Sequence, residues 1–144
     1  MGRAFADLSS PKILLIDDHE MIISGFKALC ASLDKPILVV SATSLEEGIS
    51  VFGRTQGIDL CLLDLGMPGL SGIEAFVQFK RACPQARVAV YSANGNHVLQ
   101  AEIIQHGAVG FVSKGLPLSK LTDALHHILE GGIYIPMEIG RAHV

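Results

Sequence analysis

Five short apolar runs, each closed by a polar residue and each followed by a stretch of helical periodicity, constrain this chain more than any other feature. The runs are residues 12–16 (KILLI), 37–40 (ILVV), 59–64 (DLCLLD), 88–91 (VAVY) and 110–113 (GFVS). Continuous apolar runs of this length, without polar alternation, are what strands buried on both faces of a sheet require. Over residues 20–33, Ile22, Phe26, Leu29 and Leu33 mark one face of a helix, with spacings that follow the 3.6-residue turn. Ser44-Leu-Glu-Glu47 is a capping-box pattern that opens a second helix carrying Leu45, Ile49 and Phe52. Ser71 can cap a third, bearing Ile73, Phe76 and Val77 and stopped by Pro84. A fourth runs over 98–105 and ends at Gly107, and a fifth over 117–130, with Leu118, Leu121, Leu125, Ile128 and Leu129 as its apolar stripe before Gly131 and Gly132 break it.

Strands alternating with helices across short connections must lie parallel, because each crossover is right-handed and returns its helix to the sheet. The expected fold is α/β: a doubly wound five-stranded parallel sheet with five helices. Residues 12–130 form the domain, 1–11 a flexible start, and 131–144 an extension in which periodicity reveals no helix or strand partner. At 144 residues, 49% hydrophobic and 17% charged, the chain has enough apolar content for one core, burying about 70% of the surface its unfolded form exposes.

A net charge of −3 argues against nucleic-acid binding by this segment, which needs clustered Lys and Arg. Cys30, Cys61 and Cys83 are odd in number and flanked by apolar residues, the pattern of buried free thiols in a reducing cytoplasm. No apolar run reaches the ~18 residues of a membrane span, so a soluble cytoplasmic protein without a membrane partner is expected.

In doubly wound sheets the ligand site lies at the carboxyl ends of the strands. Those ends carry Asp17 and Asp18, then Asp64, Ser92 and Lys114. If the first and third strands are neighbours, three carboxylates converge. Two unit charges ~4 Å apart repel by about 4 kcal/mol at an effective dielectric of 20, so the cluster requires a cation, a lysine or a shared proton. Hard oxygen donors suit Mg²⁺ better than zinc, for which no His or Cys cluster at ligand spacing is visible. His126 and His127 are adjacent on a helix, about 100° apart, and cannot chelate one ion together. His19 is placed to lie near the acidic site, yet it reads as an exposed loop residue rather than a catalytic one. Taken singly, Ser92 also fits a turn hydroxyl, and Phe111 an ordinary core aromatic.

Together the acidic pair Asp17-Asp18, Asp64-Leu-Gly-Met-Pro-Gly69, Ser92-Ala93 and Gly110-Phe-Val-Ser-Lys114 resemble the receiver domain of two-component response regulators, a CheY-like fold, over residues 12–130. The resemblance implies the strand order 2-1-3-4-5. It implies that Asp64 takes a phosphoryl group from a phosphohistidine of a sensor histidine kinase. Asp18, Asp64 and the carbonyl of Gly66 would hold Mg²⁺, with Asp17 acting largely through water, while Lys114 and Ser92 contact the phosphoryl oxygens. Phe111 would turn inward behind Ser92 and alter the face of the fourth helix, fifth strand and fifth helix, which is the output surface and the surface for a homodimer. Such a protein is a signalling switch rather than an enzyme, catalysing only its own phosphoryl transfer and autodephosphorylation.

Ser92 replaces the commoner Thr and Gly115 the commoner Pro, and Phe111 lacks a Tyr hydroxyl. Gly66 and Asn94 occupy the positions that tune phosphoryl loss in the family. Asp17-Asp-His19, Gly25 and Gly131-Gly-Ile-Tyr-Ile-Pro136 resemble the LuxR or NarL type of transcriptional regulator. On that likeness 131–144 is the start of a linker to a DNA-binding output domain absent from this chain.

Three other functions compete with this one. A flavodoxin-like protein would need a Ser-, Thr- or Gly-rich loop where Asp17-Asp-His-Glu20 would repel an FMN phosphate. A phosphatase of the haloacid-dehalogenase type would need an acidic residue where Gly66 stands. A stand-alone or phosphorylation-independent receiver, acting as a protein-binding module, would keep the fold without using the acceptor.

Overall fold

A computed structural model describes residues 10–70, 72–93 and 96–136. Along the chain run β1 (Lys12–Ile16), α1 (Glu20–Ala31), β2 (Leu38–Ala42), α2 (Leu45–Arg54), β3 (Leu60–Leu63), α3 (Glu74–Ala82), β4 (Val88–Ser92), α4 (His97–Gln105), β5 (Gly110–Ser113) and α5 (Leu118–Leu129). The sheet has the order β2-β1-β3-β4-β5 with every pair parallel. The expected doubly wound architecture and its strand order are both present.

The two-residue side-chain period of the strands divides the core into two layers. Leu14, Ile16, Cys61, Leu63, Val88, Val90 and Phe111 face α2, α3 and α4, packing with Val51, Phe76, Phe79 and Ile103. On the opposite face Ile13, Leu15, Leu60, Leu62, Ala89, Tyr91 and Val112 meet Ile23, Phe26 and Cys30 of α1 and Leu121, Leu125 and Ile128 of α5. Both faces being covered is why the strands read as unbroken apolar runs. Cys30, Cys61 and Cys83 are free and buried, and burial pushes the Cys30 thiol up to about 11 and the Cys61 thiol up to about 12.

Local chemistry sets most of the boundaries. Ser44 Oγ accepts the amide of Glu47 at 3.0 Å, as the capping box requires. Glu47 returns its carboxylate one residue further back, to the amide and hydroxyl of Thr43. Asn96 caps α4, its Oδ1 accepting the Leu99 amide at 2.7 Å, so that helix begins one residue before the expected 98. Gly107 follows it at φ 100°, the left-handed conformation anticipated for a helix end. The expected Ser71 cap lies outside the described residues, and α3 opens at Glu74 with Ile73 as a cap that offers no side-chain bond. β2 starts one residue later than the apolar run and ends two residues beyond it, because parallel pairing continues to Ile16 opposite Ala42.

The segment after α5 departs from expectation. Tyr134 bridges Gly110 in parallel, its amide donating to Val109 O at 3.0 Å and its carbonyl accepting from the Phe111 amide at 2.9 Å. Arg87 reaches the same stretch, donating to Ile128 O at 2.8 Å and Gly132 O at 3.3 Å. The segment thus occupies the outer edge of β5, which would otherwise present unpaired backbone groups. A pairing of two hydrogen bonds leaves no periodic signature in sequence. Among the described residues no helix is long and apolar enough to cross a membrane.

Candidate functional site

Strand register assembles the site. Ile16 at the end of β1 pairs with Leu63 at the end of β3, so the next residues, Asp17 and Asp64, emerge side by side. The Asp64 amide donates to Ile16 O at 3.0 Å and holds the two strand ends together. Ser92 at the end of β4 pairs with Ser113, and the Lys114 amide donates to Ser92 O at 2.9 Å. Four strand ends therefore deliver Asp17, Asp64, Ser92 and Lys114 to one edge.

Both carboxylates are buried, Asp17 at 0% and Asp64 at 3% exposure. Lys114 Nζ lies 2.6 Å from Asp17 Oδ2 and 3.4 Å from Asp64 Oδ2, and 5.7 Å from the centre of the Tyr91 ring. Burial works against the Asp17 carboxylate, yet the Lys114 ammonium and the amide and ring of His19 outweigh it and hold its pKa below the ordinary carboxylate value. Asp64 Oδ1 accepts the Gly66 amide at 2.9 Å, whereas Asp64 Oδ2 is buried and accepts no hydrogen bond. A Cβ on Gly66 would stand 3.3 Å from Asp64 Oδ1, so this loop position is narrow.

His19 lies beside the acidic pair, a position its place in the chain allowed, while its ring stays exposed as expected of a loop residue. Its ring is 59% exposed, yet Nδ1 lies 2.8 Å from Asp17 Oδ1, 3.2 Å from Asp18 Oδ1 and 3.9 Å from Asp64 Oδ2. The cause is a local turn: the His19 amide donates to Asp17 Oδ1 at 2.9 Å, folding the ring back over the acidic pair. Asp17-x-His19 spacing was the signal available for it. The neighbouring aspartates hold the His19 pKa above its ordinary value.

Donor atoms of Asp17, Asp18, His19 and Asp64 all lie within 4.8 Å of one another. Three carboxylates of which two are buried, one with an oxygen that accepts no hydrogen bond, fit a hard divalent cation. His127 takes no part, its Nε2 lying 3.1 Å from Ile133 O beyond α5. Ser92 is buried at the strand end. Phe111, 1% exposed, sits in the core layer beneath rather than at the site, lining a surface cleft of about 560 Å³ with His97, Gln100, Lys120 and Tyr134. Asn94 lies outside the described residues.

A family model described as the response regulator receiver domain matches residues 13–126. The glycerol metabolism activator of Pseudomonas putida is 33% identical over 130 residues, 90% of this chain and 59% of that protein. The response regulator UvrY of Escherichia coli K12 is 30% identical over 129 residues, again 90% and 59%. This chain thus spans about three fifths of the curated relatives it matches. Among solved structures, a two-component response regulator of the LuxR family from Aurantimonas sp. SI85-9A1 superposes with a TM-score of 0.80 at 26% identity, covering 92% of this chain and 94% of that one.

Proposed function

The chain belongs to the response regulator receiver domain family of two-component signalling, and from that membership we propose that Asp64 is its phosphoryl acceptor. The observation that carries the reading is the register-built pair of buried aspartates facing Lys114 Nζ at 2.6 and 3.4 Å. A carboxylate oxygen of Asp64 attacks the phosphorus of a phosphohistidine on a sensor histidine kinase. The new bond is O–P, the broken bond is P–N, and the imidazole leaves with the electron pair.

The acidic site fits Mg²⁺, which Asp18, Asp64 and the Gly66 carbonyl would hold, with Asp17 acting through water; when bound it neutralises charge on the transferring oxygens. Lys114 adds a fixed positive charge on the same side, and its salt bridges hold it there before the donor arrives. The Gly66 amide on Asp64 Oδ1 fixes the rotation of the nucleophile.

Ser92 hydrogen-bonds a phosphoryl oxygen and Phe111 transmits the change to the face of α4, β5 and α5. Val98 and Leu118 stand on those two helices at 78% and 65% exposure, which supports that face as the homodimer surface. The LuxR-family likeness supports a transcriptional regulator acting in the cytoplasm, with DNA bound by a further domain to which residues beyond 131 lead.

Incubation with Mg²⁺ and acetyl phosphate, followed by intact-mass measurement beside Asp64→Asn, tests the reading. A single phosphoryl adduct that requires the metal and vanishes in the variant is the expected result. No adduct even in short quenched reactions would replace this reading with a phosphorylation-independent binding module.

A further inference from the structure

We propose that His19 Nδ1 is a direct nitrogen ligand of the divalent ion in this acidic site, so that the site favours a transition ion such as Mn²⁺, Co²⁺ or Ni²⁺ over Mg²⁺. The inference rests on reading the acidic cluster as a divalent-ion site and goes beyond it in naming a fourth donor and the class of metal it selects.

Geometry supplies the first argument. Donors about 2.1 Å from an octahedral ion stand about 3.0 Å apart when adjacent and about 4.2 Å apart when opposite. His19 Nδ1 lies 2.8, 3.2 and 3.9 Å from one oxygen each of Asp17, Asp18 and Asp64, spacings on that scale. Asp64 Oδ2, the most distant of the three, is the buried oxygen that accepts no hydrogen bond, and it faces the same space.

Helix chemistry supplies the second. His19 is the N-cap of α1, and its side chain makes no capping bond. Ser, Asp or Asn at that position would stabilise the helix by about 1 kcal/mol relative to a non-capping residue. The ring instead turns away from the helix onto the carboxylates, held by the backbone bond from its own amide to Asp17. A donor set of one imidazole with the Asp18 and Asp64 carboxylates and the Gly66 carbonyl is a mixed nitrogen and oxygen set. Mg²⁺ takes oxygen ligands and water, whereas imidazole nitrogen raises affinity along the series from Mn²⁺ to Ni²⁺.

The test uses the full chain in mildly alkaline buffer, with Mn²⁺ as the probe for pulsed electron paramagnetic resonance and Co²⁺, Ni²⁺ and Mg²⁺ titrated by calorimetry. His19→Asn places a side chain able to cap α1 at this exposed position, and His19→Phe serves as a second variant; thermal melts confirm that both fold. The expected result is a coordinated imidazole nitrogen in the Mn²⁺ spectrum that is lost in both variants. Co²⁺ and Ni²⁺ affinity should fall by at least the about tenfold that even an outer-sphere partner contributes, with Mg²⁺ affinity unchanged. Bound Mn²⁺ without nitrogen coupling, or Ni²⁺ affinity indifferent to His19, overturns the inference and leaves the divalent-ion site standing. Absence of binding by every ion, with Asp64→Asn making no difference, removes the site and the inference together.

Discussion

The amide of Phe111 donates to the carbonyl of Tyr134 at 2.9 Å, so the residue at the centre of β5 is tied by its backbone to the segment that leaves α5. Gly110 permits the approach. A Cβ there would meet Ile128 Cδ1 at 3.0 Å and Tyr134 O at 3.1 Å. Gly110→Ala should therefore push the 131–136 segment off the sheet edge and cost about 1–3 kcal/mol. Urea denaturation reads the loss, and hydrogen exchange at the Phe111 amide should quicken; an unchanged exchange rate would refute the edge pairing.

Lys114→Met keeps an unbranched side chain of similar length but removes the ammonium that faces Asp17 and Asp64 and stands 5.7 Å from the centre of the Tyr91 ring. Loss of one partner from a buried ion pair costs about 3–5 kcal/mol. Melting in chelator should show that loss, and millimolar Mg²⁺ should recover part of it, since ligand at 100 times its Kd stabilises by about 2.7 kcal/mol. A variant as stable as the parent in chelator would mean that the two carboxylates do not depend on this lysine.

Gly48 lies in α2 against β1, where an added Cβ would meet Ile16 Cδ1 at 2.6 Å and Cγ1 at 2.9 Å. Alanine is the better helix former by about 1 kcal/mol, but Ile16 is wholly buried and has nowhere to go. Overpacking of about 1–3 kcal/mol should win, giving a net loss of stability in Gly48→Ala measured by chemical denaturation. A gain would show that α2 can slide outward on the sheet.

These effects turn on contacts that local pattern does not carry, and the same division runs through the whole molecule. β1 and β5 were legible to the residue because their burial on two faces leaves unbroken apolar runs. The polar residues closing those runs marked the strand ends, and hence Asp17, Asp64, Ser92 and Lys114. Strand order came from family resemblance, since nothing in a run records which neighbour it pairs with. The turn that folds His19 onto Asp17, the Asn96 cap and the Tyr134 bridge each depend on a single side chain or on two backbone bonds. Periodicity averages over longer stretches and passes over features of that size.

The buried thiols make stability depend on pH above the neutral range. Burial raises the Cys30 thiol to about 11 and the Cys61 thiol to about 12 from an ordinary 9.0. A group whose folded pKa is raised contributes stability that is fully present below the unfolded pKa and is lost as pH rises through the folded one. Below pH 9.0 both states keep the proton and these thiols leave stability flat. Above it the unfolded thiols ionise while the folded ones do not, and each lowers stability by about 1.4 kcal/mol per pH unit. Urea midpoints taken from about pH 8 to 10.5 should fall more steeply for the parent than for Cys61→Ala, because the variant removes one thiol from the balance. The native protein should also resist thiol-exchange reagents at about pH 8 and react once unfolded. Equal slopes in parent and variant would mean that the Cys61 thiol ionises as freely inside the sheet as in the unfolded chain, which its complete burial on β3 argues against.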